Sequence, residues 1–151
     1  MRKYELTEET KTLADGTVLH RIRADRDIPR HGVKAGDIGG VIEKENNLSQ
    51  YGDAWVFGDA EVSGDAEISG DAEVSGDADY MVFKNTWSSG RCFTYTRSNK
   101  KWNVGCFYVT GEELIAKAYK DSELSGKCYE AIVRAVETME AAKAAAKGEA
   151  K

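Results

Sequence analysis

GDAWVF (52–57), GDAEVS (58–63), GDAEIS (64–69), GDAEVS (70–75) and then GDADYM (76–81) follow one another without a gap. Gly52, Gly58, Gly64, Gly70 and Gly76 lie six apart, as do Ala54, Ala60, Ala66, Ala72 and Ala78, and as do Val56, Val62, Ile68 and Val74. A helix repeats its apolar positions about every 3.6 residues and a flat strand about every two. A strict period of six predicts instead a parallel β-helix that turns a corner at each hexapeptide. Each Gly-Asp supplies a corner, the β-branched residue points inward, and the alanine fits the tight interior beside the next corner. An acidic Gly/Asp/Ala linker would keep no such apolar phase. Echoes at Ile42 and Leu48, in the alanine phase, extend the pattern back to about Gly36. Such a short stack has open ends and needs caps, partner subunits or both.

The hexapeptides resemble those of the hexapeptide-repeat family, in which three units close one coil of a left-handed β-helix. The resemblance implies a short left-handed parallel β-helix and side-by-side packing into a homotrimer or larger assembly.

Working outward, residues 3–24 read as a β-hairpin about Asp15-Gly16, a strong turn signal. After Asp79 the composition changes abruptly. YMVFKNTW, RCFTYTRSN and KKWNVGCFYVT read as three antiparallel strands, with Cys92, Thr94 and Thr96 on one face and Phe93, Tyr95 and Arg97 on the other. Thr110 and Glu113 form a capping box that opens a helix, and Asp121-Ser122 starts a second. Residues 1–35 are therefore expected as an N-terminal β cap and 36–80 as the hexapeptide β-helix. Residues 81–140 form a C-terminal α+β module, and 141–151 a fraying helix or disordered tail.

The chain has 151 residues and a formal net charge of -5, but its charges are segregated. Residues 36–79 hold twelve acidic side chains against one basic, Lys44, whereas residues 80–111 hold five basic side chains and no acidic one. An acidic stem repels a long polyanion, so long DNA or RNA is not expected as a partner. No apolar run is long enough to span a membrane, and no signal-peptide pattern opens the chain, so a cytoplasmic location is expected. Cys92, Cys106 and Cys128 are odd in number with no close pair, which favours reduced thiols over a metal site or a disulfide framework.

VFKNTWSSGR, FTYTRSN, VGCF, TGEEL and DSELSGKCYEAIV resemble a small module that follows hexapeptide repeats in phage and prophage proteins. ADGTVLHRIRA, KAGDIGG and the Asn-Leu-Ser before the repeats are similar too. The resemblance implies a phage-infected or lysogenic bacterial cell and implies no particular chemistry.

The best-known hexapeptide enzymes are acyltransferases that use a histidine base on the coils. Here both histidines, His20 and His31, precede the repeat, so acyl transfer is disfavoured and no catalytic residue is expected. The Asp53, Asp59, Asp65, Asp71, Asp77 ladder could hold a hard cation, but any polar coil corner needs such residues and that reading accounts for it better, so neither metal nor cofactor is expected. The acid-free segment offers the best candidates for ligand contact: Trp87, Ser88, Ser89, Arg91, Thr94, Tyr95, Arg97, Lys100 and Lys101. Guanidinium and hydroxyl groups fix phosphate, and an aromatic ring stacks on a base. The expectation is a non-catalytic binding protein that sequesters a small phosphorylated ligand, such as a host defence signalling nucleotide, at a subunit interface. The alternatives are a module that binds a host or phage protein and, less favoured, an acyltransferase. The basic segment could equally pair with the acidic coils of a neighbouring subunit.

Overall fold

The structure, a computed structural model, describes residues 2–105 and 107–149; Met1, Cys106, Ala150 and Lys151 lie outside it. The chain opens with a hairpin of β1 (Tyr4–Thr12) and β2 (Val18–Ala24). At its turn the Asp15 carboxylate accepts the Thr17 amide at 2.9 Å, which holds the Asp15 carboxyl below its ordinary pKa. β3 (Ile38–Ile42) adds antiparallel to β2. The hexapeptides contribute β4 (Trp55–Val56), β5 (Glu61–Val62) and β6 (Glu73–Val74), each two residues long. β7 (Tyr80–Lys84), β8 (Cys92–Thr96), β9 (Lys101–Val104) and β10 (Phe107–Thr110) form an antiparallel sheet, followed by α1 (Gly111–Asp121) and α2 (Glu123–Glu149).

This arrangement corrects the fold read from the repeat. A short left-handed parallel β-helix does not organise the chain. Among the described residues five of the seven strand pairings are antiparallel, and only β3 with β5 and β4 with β6 run parallel. The architecture is mixed sheets with two C-terminal helices, and the sheet after Asp79 has four strands, not three. The physical reason is length. Gly, Asp and Ala take three of the six positions in each hexapeptide, and the strands that form are only two residues long. β5 then joins β3, a member of the antiparallel N-terminal sheet, rather than another hexapeptide.

The period nevertheless governs what is buried. Ala54, Ala60, Ala66, Ala72, Val56, Val62, Ile68 and Val74 are all buried, as are Ile42 and Leu48. Tyr4 and Trp55 meet edge to face at 6.4 Å within this core, and the Tyr4 hydroxyl donates to the Leu48 carbonyl at 2.6 Å. Lys3 is fully buried beside them, its Nζ donating to the Ala54 carbonyl at 2.7 Å. A second core gathers Phe93, Tyr95 and Trp102 of the C-terminal sheet against Leu114, Tyr129 and Val133 of the helices. Thr110 caps α1: its hydroxyl accepts the Glu113 amide at 3.2 Å, and the Glu113 carboxylate accepts the Thr110 amide at 2.9 Å.

The two cores meet through polar groups. The Thr94 hydroxyl accepts the Glu67 amide at 2.9 Å, the Ser98 hydroxyl accepts the Glu73 amide at 2.8 Å, and Asn103 donates to the Glu67 carbonyl at 3.3 Å. Side chains of the C-terminal sheet thus satisfy backbone groups that the short strands leave without ladder partners, as buried backbone polar groups require.

Candidate functional site

Strand alternation decides where the nine candidate residues go. Thr94 lies on the β8 face toward the hexapeptides and is consumed by the Glu67 amide. Tyr95 lies on the other face, buried against Trp102 at 4.9 Å. Trp87 is no open stacking platform: it packs edge-on to Tyr129 at 4.9 Å, and its indole N–H donates to Ser125 Oγ at 3.1 Å. Ser88 donates to the Asn85 side chain at 3.2 Å, and Ser89 accepts the Arg91 amide at 3.2 Å. At the opposite end of β8, Arg97 pairs with Glu140 of α2 at 2.8 Å and the Lys101 ammonium sits 5.2 Å from the Tyr108 ring centroid. Arg91 and Arg97 bracket β8, on the order of 20 Å apart along an extended strand, so the nine residues do not converge on one site within the chain.

Lys100 is exposed and sits in the left-handed backbone region at φ 55, the one non-glycine residue with positive φ among those described. Such a conformation costs an L-residue about 1 kcal/mol or more. Lys100→Gly is expected to raise the free energy of unfolding by about 0.5–1 kcal/mol, measured by urea denaturation.

The basic residues ahead of the repeat turn inward on its acidic corners. Arg30 reaches both Asp53 and Asp71 at 3.3 Å, Arg21 reaches Asp59 at 3.4 Å, Arg26 lies 3.9 Å from Asp53, and Lys11 pairs with Glu61. Asn99 donates to Asp71 at 2.7 Å, and this bond, more than Arg30, holds the Asp71 carboxyl below its ordinary pKa. Three of the corner carboxylates, Asp53, Asp59 and Asp71, are therefore matched inside the chain. The Asp77 side chain lies outside what is described, and no cluster of three or more acidic, histidine or cysteine side chains is placed to hold a metal ion among the described residues. His31 Nδ1 is 2.7 Å from Glu73, while its Nε2 is buried without a hydrogen-bond partner. The imidazole is closed off from solvent, so it is not placed to serve a substrate. The sequence carries no signal of that contact, because 42 residues separate the pair.

Arg91 stands apart. The chain has eight arginines. Arg2, Arg21, Arg23, Arg26, Arg30, Arg97 and Arg134 each sit in an ion pair, and Arg91 has no carboxylate partner among the described residues. It lines a cleft of about 520 Å³ between the hexapeptides and the C-terminal sheet, together with Lys44, Asn46, Asp65 and Glu67. Lys44 too has no ion-pair partner among the described residues. The Cys92 thiol, next in the chain, lies 3.5 Å from the Asp65 carboxylate; burial and that contact push its pKa up. Burial, and then the Asp65 charge, raise the Glu67 pKa.

No protein-family model matches the chain, and no curated protein is similar to it in sequence. Among the described residues no helix is long and apolar enough to cross a membrane.

Proposed function

We propose that the protein is a non-catalytic binding protein whose ligand is a small phosphorylated molecule held in the Arg91 cleft. One observation carries the reading: every other arginine is neutralised by a carboxylate of its own chain, and this one is left facing a cavity that Lys44 also lines. An exposed guanidinium without a carboxylate keeps its paired N–H donors available for a phosphate. The glycines at the cleft wall, Gly64, Gly90 and Gly105, let a ligand approach the backbone closely.

Arg91→Ala tests this directly. Arg91 is exposed, so its removal leaves both cores intact. Calorimetry with phosphorylated metabolites and nucleotides is expected to find a binder whose affinity falls about 10- to 100-fold in the variant, the range for a charged hydrogen bond. Equal affinity in the variant and the parent would exclude the cleft. No binding by any phosphorylated compound would exclude the function.

A further inference from the structure

The Arg91 cleft does not end at Glu67. Asn46, Glu67 and Gly105 also line a second cavity, of about 720 Å³, which continues along the same face of the hexapeptides toward Tyr51, Ser69, Gly70 and Tyr108. The two cavities therefore adjoin along Asn46, Glu67 and Gly105 and differ in chemistry at their far ends. Arg91 and Lys44 stand at one end. At the other stands Tyr51, 86% exposed, a large aromatic ring with nothing packed over it, beside the half-buried ring of Tyr108. Between them Asn46 and the Glu67 carboxylate offer hydrogen-bond acceptors. From Asp65 to Gly70 the chain covers at most about 16 Å, an upper bound on the length of the groove along it.

We infer that the groove takes an elongated ligand with a phosphate at the Arg91 end and a planar ring at Tyr51, joined by a hydroxyl-bearing spacer over Asn46 and Glu67. A nucleotide has that order of groups. The inference rests on the Arg91 reading and adds to it a ring subsite on a residue outside the basic segment. An exposed tyrosine loses little conformational entropy when a ring stacks on it, and stacking on an aromatic side chain contributes to binding of any base. The carboxylate in the middle of the groove disfavours a ligand that is phosphate throughout and favours one with hydroxyl donors between its charged and its flat end.

Calorimetry on the full chain with inorganic phosphate, ribose 5-phosphate, adenosine and adenosine monophosphate separates the parts. Adenosine monophosphate is expected to bind roughly tenfold tighter than ribose 5-phosphate. Tyr51→Ala should abolish that advantage and leave ribose 5-phosphate binding unchanged, whereas Arg91→Ala should weaken both. Equal binding of the two phosphates, insensitive to Tyr51→Ala, would overturn the ring subsite and leave the phosphate site standing. Adenosine binding as tightly as its monophosphate, or no phosphorylated probe binding at all, would overturn the phosphate site and the groove with it.

Discussion

Gly70→Ala is expected to lower the free energy of unfolding by about 3 kcal/mol, whereas Gly58→Ala should lower it by about 1 kcal/mol. Both glycines begin a Gly-Asp corner and both have positive φ, 66 at Gly70 and 58 at Gly58. The backbone strain of a Cβ is thus the same. The surroundings differ. A Cβ at Gly58 meets open space, and a Cβ at Gly70 runs into the Tyr108 ring. That ring is fixed at the junction of the two cores: the Asn99 side chain donates to the Tyr108 hydroxyl and also to Asp71. The Gly70 carbonyl accepts the Asp53 and Ala54 amides, both at 2.9 Å, so the backbone cannot retreat without losing two hydrogen bonds. Urea denaturation of the two variants side by side gives the comparison. Equal losses would mean that Tyr108 does not rest on Gly70.

Lys3 should make the protein more stable as pH rises above neutral. Its ammonium is fully buried, and burial first, then the nearby Arg26 charge, lower its pKa to about 7, with Asp53 opposing. In the unfolded chain the group titrates near 10.5. Between those values the unfolded state binds the extra proton, so stability rises with pH across that window and the penalty of the buried charge is complete below pH 7. From pH 7 to pH 9.5 the gain is on the order of 3 kcal/mol. Above pH 10 the trend reverses, because burial raises the pKa of Tyr4, Tyr95 and Tyr108 and their folded forms hold protons that the unfolded chain releases. In Lys3→Met the rise between pH 7 and 9.5 should disappear, whatever constant loss follows from leaving the Ala54 carbonyl without its donor. A parallel rise in the variant would assign the effect to another group.

The period of six made the buried face legible, because each unit places the same residue type at the same point of the path; Ile42 and Leu48 could be read by extending the phase. Pairing was not legible. It depends on which segment the fold brings beside each two-residue strand, and Glu61-Val62 pairs with Val41-Ile42, from before the repeat. The helices announced themselves through local chemistry, the Thr110–Glu113 capping box above all. The candidate site was legible only in part. Trp87 stands beside Ser-Ser-Gly and looks exposed until α2, some forty residues later, supplies Ser125 and Tyr129. Strand alternation alone separates Thr94 from Tyr95, and the structure keeps them on opposite faces of β8. Arg91 stands out only once every other arginine has been traced to its carboxylate. Tyr51 has no signal in the sequence, since exposure of a single ring is a property of the folded surface.

The hydroxyl and amide side chains of Thr94, Ser98 and Asn103 also bear on how such a chain can change by recombination. The abrupt shift of composition after Asp79 looks like a seam at which halves of different origin could be exchanged. The backbone groups of Glu67 and Glu73 sit on one side of that seam and their partners on the other. A new second half would inherit the acidic repeat together with unsatisfied amides unless it brought hydroxyls at matching positions. Substitutions on either side of Asp79 are therefore tied to one another, and the halves are expected to be inherited as a pair.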